Sequence, residues 1–206
     1  MAKSTQFETY TEDKGHLSPW ITWPSLHRGI SNQQHNIENI NQNLQKQNEN
    51  FPALWEVLRK NDFKVGVFGS LQSYEQNISN DYSFYLPDTF APDPRSYPEI
   101  IEKFQNFNLN MARSSARNID SKLHIKESID FLINSKKAGL TYSTYFKVMK
   151  QVITEKFLKS RKSRRRTFQF ILSADVFLNS LKSTMPDFAT FFTNHLASSL
   201  HRFWAA

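Results

Sequence analysis

The stretch Lys64-Val65-Gly66-Val67-Phe68-Gly69-Ser70 limits what this chain can fold into more than any other. It is a short apolar run rich in β-branched and aromatic residues, the pattern of a strand buried in a parallel sheet. Directly before it, Pro52 to Asn61 reads PALWEVLRKN and predicts a helix, with Pro52 in the first turn and Leu54, Trp55 and Leu58 on one face. Helix followed by strand is the repeating unit of α/β folds, so the fold class expected is α/β.

A chain of 206 residues, 39% hydrophobic and carrying 18 Phe, 7 Tyr and 4 Trp, can bury a core as one domain without covalent staples. Cysteine is absent, which removes disulfides, thiolate metal sites and thiol nucleophiles, and fits a reducing, cytoplasmic location. No window reaches the length and apolarity of a membrane span, and the start MAKSTQFETYTEDKG lacks the apolar run of a secretory signal. The formal charge of +7 favours anionic partners, but it is concentrated in Lys156 to Arg166, where seven of eleven residues are basic. That run lacks interleaved aromatics, so a solvated or polyanion-facing helix end is expected and specific nucleic-acid recognition is not.

Residues 1–16 are polar and read as an arm. Residues 32–50 are Asn or Gln at twelve of nineteen positions, and Ile37, Ile40 and Leu44 allow either one apolar stripe on a polar helix or a loose surface segment. The stretch from Leu71 to Asp93 reads as a long polar loop. At the carboxyl end of the strand before it, Ser70 either faces a substrate or belongs to an ordinary connection. Asp88 and Asp93, in LPDTFAPDP, suit turn hydrogen bonds better than metal ligation. Helices are predicted over 98–108, 124–138, 142–159 and 165–182, with Gly139 as a break, and a last strand over Phe188 to Thr193.

Leu17 to His35 reads LSPWITWPSLHRGISNQQH and concentrates the candidate chemistry. Ser18 before Pro19 is a good helix N-cap, and Thr22 lies one turn on. A hydroxyl there sees the positive end of the helix dipole, which favours an alkoxide and the anion it attacks. The same residues also fit a capped, aromatic-rich core helix whose hydroxyls only satisfy backbone.

Thr22-Trp23-Pro24-Ser25 resembles the Thr-aromatic-Pro-polar motif of type I phosphodiesterases and nucleotide pyrophosphatases, in the alkaline-phosphatase superfamily that also holds the sulfatases. Gly29 followed by His35 is similar to the Gly-x5-His pattern that follows the nucleophile helix there. The local motif favours Thr22 as nucleophile and the spacing to Gly29 favours Ser18. Ser25, with Ser70, is then a substrate-binding candidate. His201-Arg202-Phe203-Trp204 resembles a strand-loop block in which the histidine and an Asp four residues earlier bind one metal. This chain has Ala197 at that position, and His195 is the residue that would compensate.

The resemblance implies a partial three-layer alkaline-phosphatase-like parallel sheet across residues 1–206, with a mostly helical insertion over 109–167. It implies a metal-dependent hydrolase of phosphate (di)ester or sulfate ester bonds, acting on a small anionic ester with zinc or manganese held by His201 and His195. The opening strand with its metal-binding Asp and the later Asp-His pair of that superfamily have no counterpart, so the chain resembles an internal piece or a shortened relative. A non-catalytic anion- or partner-binding protein on the same fold is the alternative.

Overall fold

The computed structural model describes residues 8, 10–40, 42–117, 138–158, 161, 164–197 and 200. Its centre is a three-stranded parallel sheet of β1 (Val65–Phe68), β2 (Phe84–Leu86) and β3 (Phe188–Phe191), in the order β2-β1-β3. Gly66 lies opposite Phe84 on one side of β1 and opposite Ala189 on the other.

Helices cover both faces of this sheet. On one, Val65, Val67 and Tyr85 pack with Ala53 and Trp55 at the start of α4 (Leu54–Lys60) and with Tyr82. On the other, Phe68, Phe84 and Leu86 pack against α5 (Glu102–Arg117) through Phe104 and against a long helix, Arg165–Thr184, through Leu172 and Val176. Phe177 of that helix meets Phe68 edge to face and stacks on Phe191 at 4.6 Å, binding it to both β1 and β3. The long helix is α7; α6 (Tyr142–Phe157) precedes it, capped by Thr141, whose Oγ1 accepts the Thr144 N–H at 3.3 Å and donates to Asp175 at 2.9 Å.

Gly66 is a packing necessity: a β-carbon there would lie 2.2 Å from the Phe84 ring. The absent side chain lets a phenylalanine lie across the strand beside it.

The mixed helix-and-strand architecture expected of the chain is present, with its central parallel strand where the apolar run predicts it. Several boundaries and facings are corrected. The stretch after β1 is no uninterrupted loop, because Phe84-Tyr85-Leu86 inserts a fully buried strand. Leu54 turns outward at 48% exposure while Glu56 takes the inward position, bound by Arg59 at 3.0 Å and by the Tyr82 hydroxyl. Pro52 lies before the helix, whose N-cap is Ala53. The last strand ends at Phe191, short of the predicted Thr193, and His195 opens a helical turn. Residues 32–50 form two short helices, α2 (Asn32–His35) and α3 (Gln45–Asn50), with Ile37 and Leu44 buried between them, so no single striped helix exists. The predicted helix 124–138 lies almost wholly outside the described residues. In the basic run, Arg165 pairs with Glu155 at 2.9 Å and joins α7 to α6.

Candidate functional site

Helix α1 (Pro19–Arg28) packs against the segments that leave all three strands. Trp20 meets Phe90, beyond β2, edge to face at 4.6 Å, and Trp23 meets Phe192, directly after β3, at 5.0 Å. His27 engages the Leu71 backbone beyond β1 and packs on Trp55 at 4.8 Å. In the order β2-β1-β3 the chain leaves β1 toward one side and returns on the other, so the crevice of an open α/β sheet falls at these carboxyl ends. The helix therefore occupies the edge at which such sheets bind ligands.

Local chemistry accounts for the span of α1. Ser18 is extended at the N-cap, Pro19 supplies the first turn, and Gly29 ends the helix at a positive φ of 65°, its N–H donating to the Ser25 carbonyl at 2.8 Å. The Ser18 hydroxyl makes no capping hydrogen bond and is half-buried. Thr22 Oγ1 donates back to the Ser18 carbonyl at 3.2 Å, a bond internal to the helix. The hydroxyl at the helix mouth is thus the less committed of the two.

Ser25 occupies a different setting. It is buried with Asp13 and His35: its hydroxyl lies 2.8 Å from Asp13 Oδ1, 2.9 Å from His35 Nε2 and 3.2 Å from the Ile21 carbonyl. The proton direction follows from the far side of the imidazole. His35 Nδ1 faces the Ile37 N–H at 2.9 Å, and since an amide N–H only donates, Nδ1 is the bare nitrogen and Nε2 carries the proton. The chain of bonds runs from His35 to Ser25 to Asp13, the reverse of a nucleophile-base pair, in which the histidine accepts from the serine. Burial first, and the nearby Arg28 second, hold the His35 pKa below its ordinary value, keeping the ring neutral. Asp13 Oδ1 also accepts the Asn32 N–H at 2.7 Å, so the cluster ties the N-terminal arm to α1 and α2. Asp13 has only ordinary turn chemistry in its sequence context, and nothing there signals this role.

The other candidates divide. Ser70 is 2% exposed and donates to Thr190 Oγ1 at 2.9 Å, bridging the ends of β1 and β3. His195 stacks on Phe170 at 5.2 Å, with Nε2 3.1 Å from Thr167 Oγ1. His201 lies outside the described residues. Among the described residues no three His, Asp or Glu side chains gather as a metal would require, so the described donor set does not by itself hold zinc or manganese. No described helix is long and apolar enough to cross a membrane.

A cleft of about 760 Å3 opens beside α1, between residues 40 and 42–49, α4 and the loops that follow β1 and β2. Two carboxylates on its wall are driven apart. Glu56 is held below its ordinary pKa, against the pull of burial, by hydrogen bonds from Arg59 and Tyr82. Burial, reinforced by the charge of Glu56, pushes Glu75 up to about 7. Asp88 at the same wall is raised to about 6 by burial, opposed by the N–H groups of Phe90 and Ser73, so both it and Asp93, bound to Tyr74 and Arg95, do make turn hydrogen bonds. Glu75 is a site feature that sequence reasoning missed. Its sequence context is an unremarkable polar loop, and only the fold buries it.

Compared with protein-family models, with curated proteins and with solved structures, the chain matches none.

Proposed function

We propose that this domain acts on a phosphate or sulfate ester in the manner of the alkaline-phosphatase superfamily, with Ser18 as the nucleophile. The observation that carries the reading is the position of α1: its first turn lies at the carboxyl edge of a parallel sheet, and the hydroxyl at its mouth makes no capping bond. Unpaired N–H groups and the positive end of the dipole suit a developing alkoxide and an incoming oxyanion. Thr22, committed to a backbone carbonyl, holds the turn in shape. In the reaction, Ser18 Oγ forms a bond to phosphorus or sulfur, the ester oxygen leaves as the alcohol, and water then releases the phosphate or sulfate from the serine.

The resemblance calls for zinc or manganese, and the described side chains make no complete set for either. The donors would therefore have to include His201. A cytoplasmic location accompanies this proposal on the strength of the missing cysteines.

The test is hydrolysis of p-nitrophenyl phosphate, bis-p-nitrophenyl phosphate and p-nitrophenyl sulfate, each with added zinc and with added manganese. Turnover of one ester, lost in Ser18→Ala, supports the reading. If all three remain intact under both metals, the alternative stands: a protein of the same architecture that binds an anion or a partner without catalysis.

A further inference from the structure

Amide side chains recur along the described lining of the cleft beside α1, and hydrogen bonds behind Asn43, Asn48 and Gln72 fix which way those three point. Asn48 Oδ1 takes the Arg28 Nη2 hydrogen bond at 2.6 Å; a guanidinium only donates, so the oxygen must face it and the NH2 group is turned away. Asn43 Oδ1 accepts the Gln45 backbone N–H at 3.0 Å, which likewise leaves its NH2 unused. Gln72 is oriented the other way: its Nε2 donates to the Asn39 carbonyl at 2.9 Å, leaving Oε1 as an acceptor. Among these lining residues, Asn43 and Asn48 thus keep NH2 donors and Gln72 an acceptor oxygen outside these bonds, in orientations set before any ligand arrives.

Charge selects among ligands. The lining contains Glu49, Glu56, Glu75 and Asp88 against the one lysine, Lys60, which makes the cleft inhospitable to a phosphate or sulfate group. Phe90, exposed on the wall and held edge to face against Trp20, adds an apolar ring.

We infer that this cleft binds a neutral polyhydroxylated ligand, a monosaccharide or a cyclic polyol, through the pre-oriented amides of Asn43, Asn48 and Gln72 and the ring of Phe90. Each hydroxyl of such a ligand is both donor and acceptor, so it matches a wall that offers both, while its C–H face matches an aromatic ring. Preset amide orientation lowers the ordering cost of binding. This site is separate from the Ser18 chemistry and holds whether or not the domain cleaves esters.

The test is an NMR titration of the intact chain with glucose, galactose, N-acetylglucosamine and myo-inositol, each to tens of millimolar, read at the side-chain NH2 signals of Asn43 and Asn48. Asn48→Asp keeps an oxygen for Arg28 but removes the donor, and Phe90→Ala removes the ring without touching a described hydrogen bond. The result expected is that at least one of the four shifts both signals in the parent chain with an affinity of roughly millimolar, weakened about fivefold or more in Phe90→Ala at both signals and in Asn48→Asp at the Asn43 signal that remains. The inference is overturned if none of the four moves these signals, if both variants bind unchanged, or if inorganic phosphate displaces the bound polyol.

Discussion

Trp23 and Phe192 meet edge to face, ring centroids 5.0 Å apart and planes at 78°, and this contact fixes the first long helix of the chain to the end of its last strand. Offset and edge-on aromatic pairs add about 0.5–1.5 kcal/mol beyond the area they bury. Loss of the ring in Trp23→Ala therefore removes both packing and the placement of the Ser18 turn. The expected outcome is a destabilisation of roughly 3 kcal/mol, measured by denaturant unfolding, with any ester hydrolysis falling in protein that remains folded.

Ser25 is expected to behave as structure. Ser25→Ala leaves the buried Asp13 and His35 without the hydroxyl that joins them, and a buried polar group deprived of its partner costs about 1–3 kcal/mol. Thermal unfolding should shift down accordingly, by roughly 2–4 °C per kcal/mol for a domain of this size. Hydrolysis at permissive temperature should be unchanged, which separates Ser25 from Ser18.

Much of the central architecture is legible in the sequence. The run at Lys64 to Ser70 marks the central strand because a strand buried on both faces has to be apolar throughout, and the helix before it carries its own pattern. The strand Phe84 to Leu86 was not legible, since three residues are too few to show a period, and the gap in Gly66 that receives the Phe84 ring is a tertiary fact. Leu54 faces outward against expectation while Glu56 is buried, because Arg59 and Tyr82 make a buried carboxylate tolerable, a compensation no local pattern reveals. The helix mouth at Ser18 could be read from Ser-Pro alone, whereas the cluster of Asp13, Ser25 and His35 depends on an arm folding back over α1 and α2.

The Gly66 relationship makes a sharp prediction. Gly66→Ala puts a methyl group 2.2 Å from the Phe84 ring, and inside a packed sheet neither strand can retreat freely. Overpacking of this kind costs typically about 1–3 kcal/mol, and the buried position between two strands puts this case at the upper end. Equilibrium urea unfolding should show it, and the double variant Gly66→Ala, Phe84→Leu should recover part of the loss.

Glu75 and His27 give the stability a pH dependence of opposite signs. The Glu75 pKa is raised to about 7 in the fold, so between its ordinary value and 7 the folded state binds the extra proton, and stability contributed by Glu75 is lost as pH rises through that window. Burial lowers His27 to about 4, with Arg28 adding to it, so between 4 and its ordinary value the unfolded state binds the extra proton and stability rises with pH. Glu75→Gln is therefore expected to stabilise the protein at pH 8, by about 2–3 kcal/mol at most, and to change little at pH 4.5. Relative to the parent, that variant should lose the fall in stability between pH 4.5 and 7 measured by denaturant unfolding, while the rise from His27 and His35 and the opposing fall from Asp88, raised to about 6 by burial, remain in both.

Most direct for the proposed chemistry is to find the atom that carries the transferred group. The protein is mixed with a p-nitrophenyl ester it turns over, quenched in acid during steady state, digested and mapped by mass spectrometry. The result expected is a phosphoryl or sulfuryl group on the Ser18 hydroxyl, absent in Ser18→Ala together with a loss of turnover of roughly three orders of magnitude. A modified Ser25, turnover that survives in Ser18→Ala, or no turnover of any ester offered with zinc or manganese would contradict it.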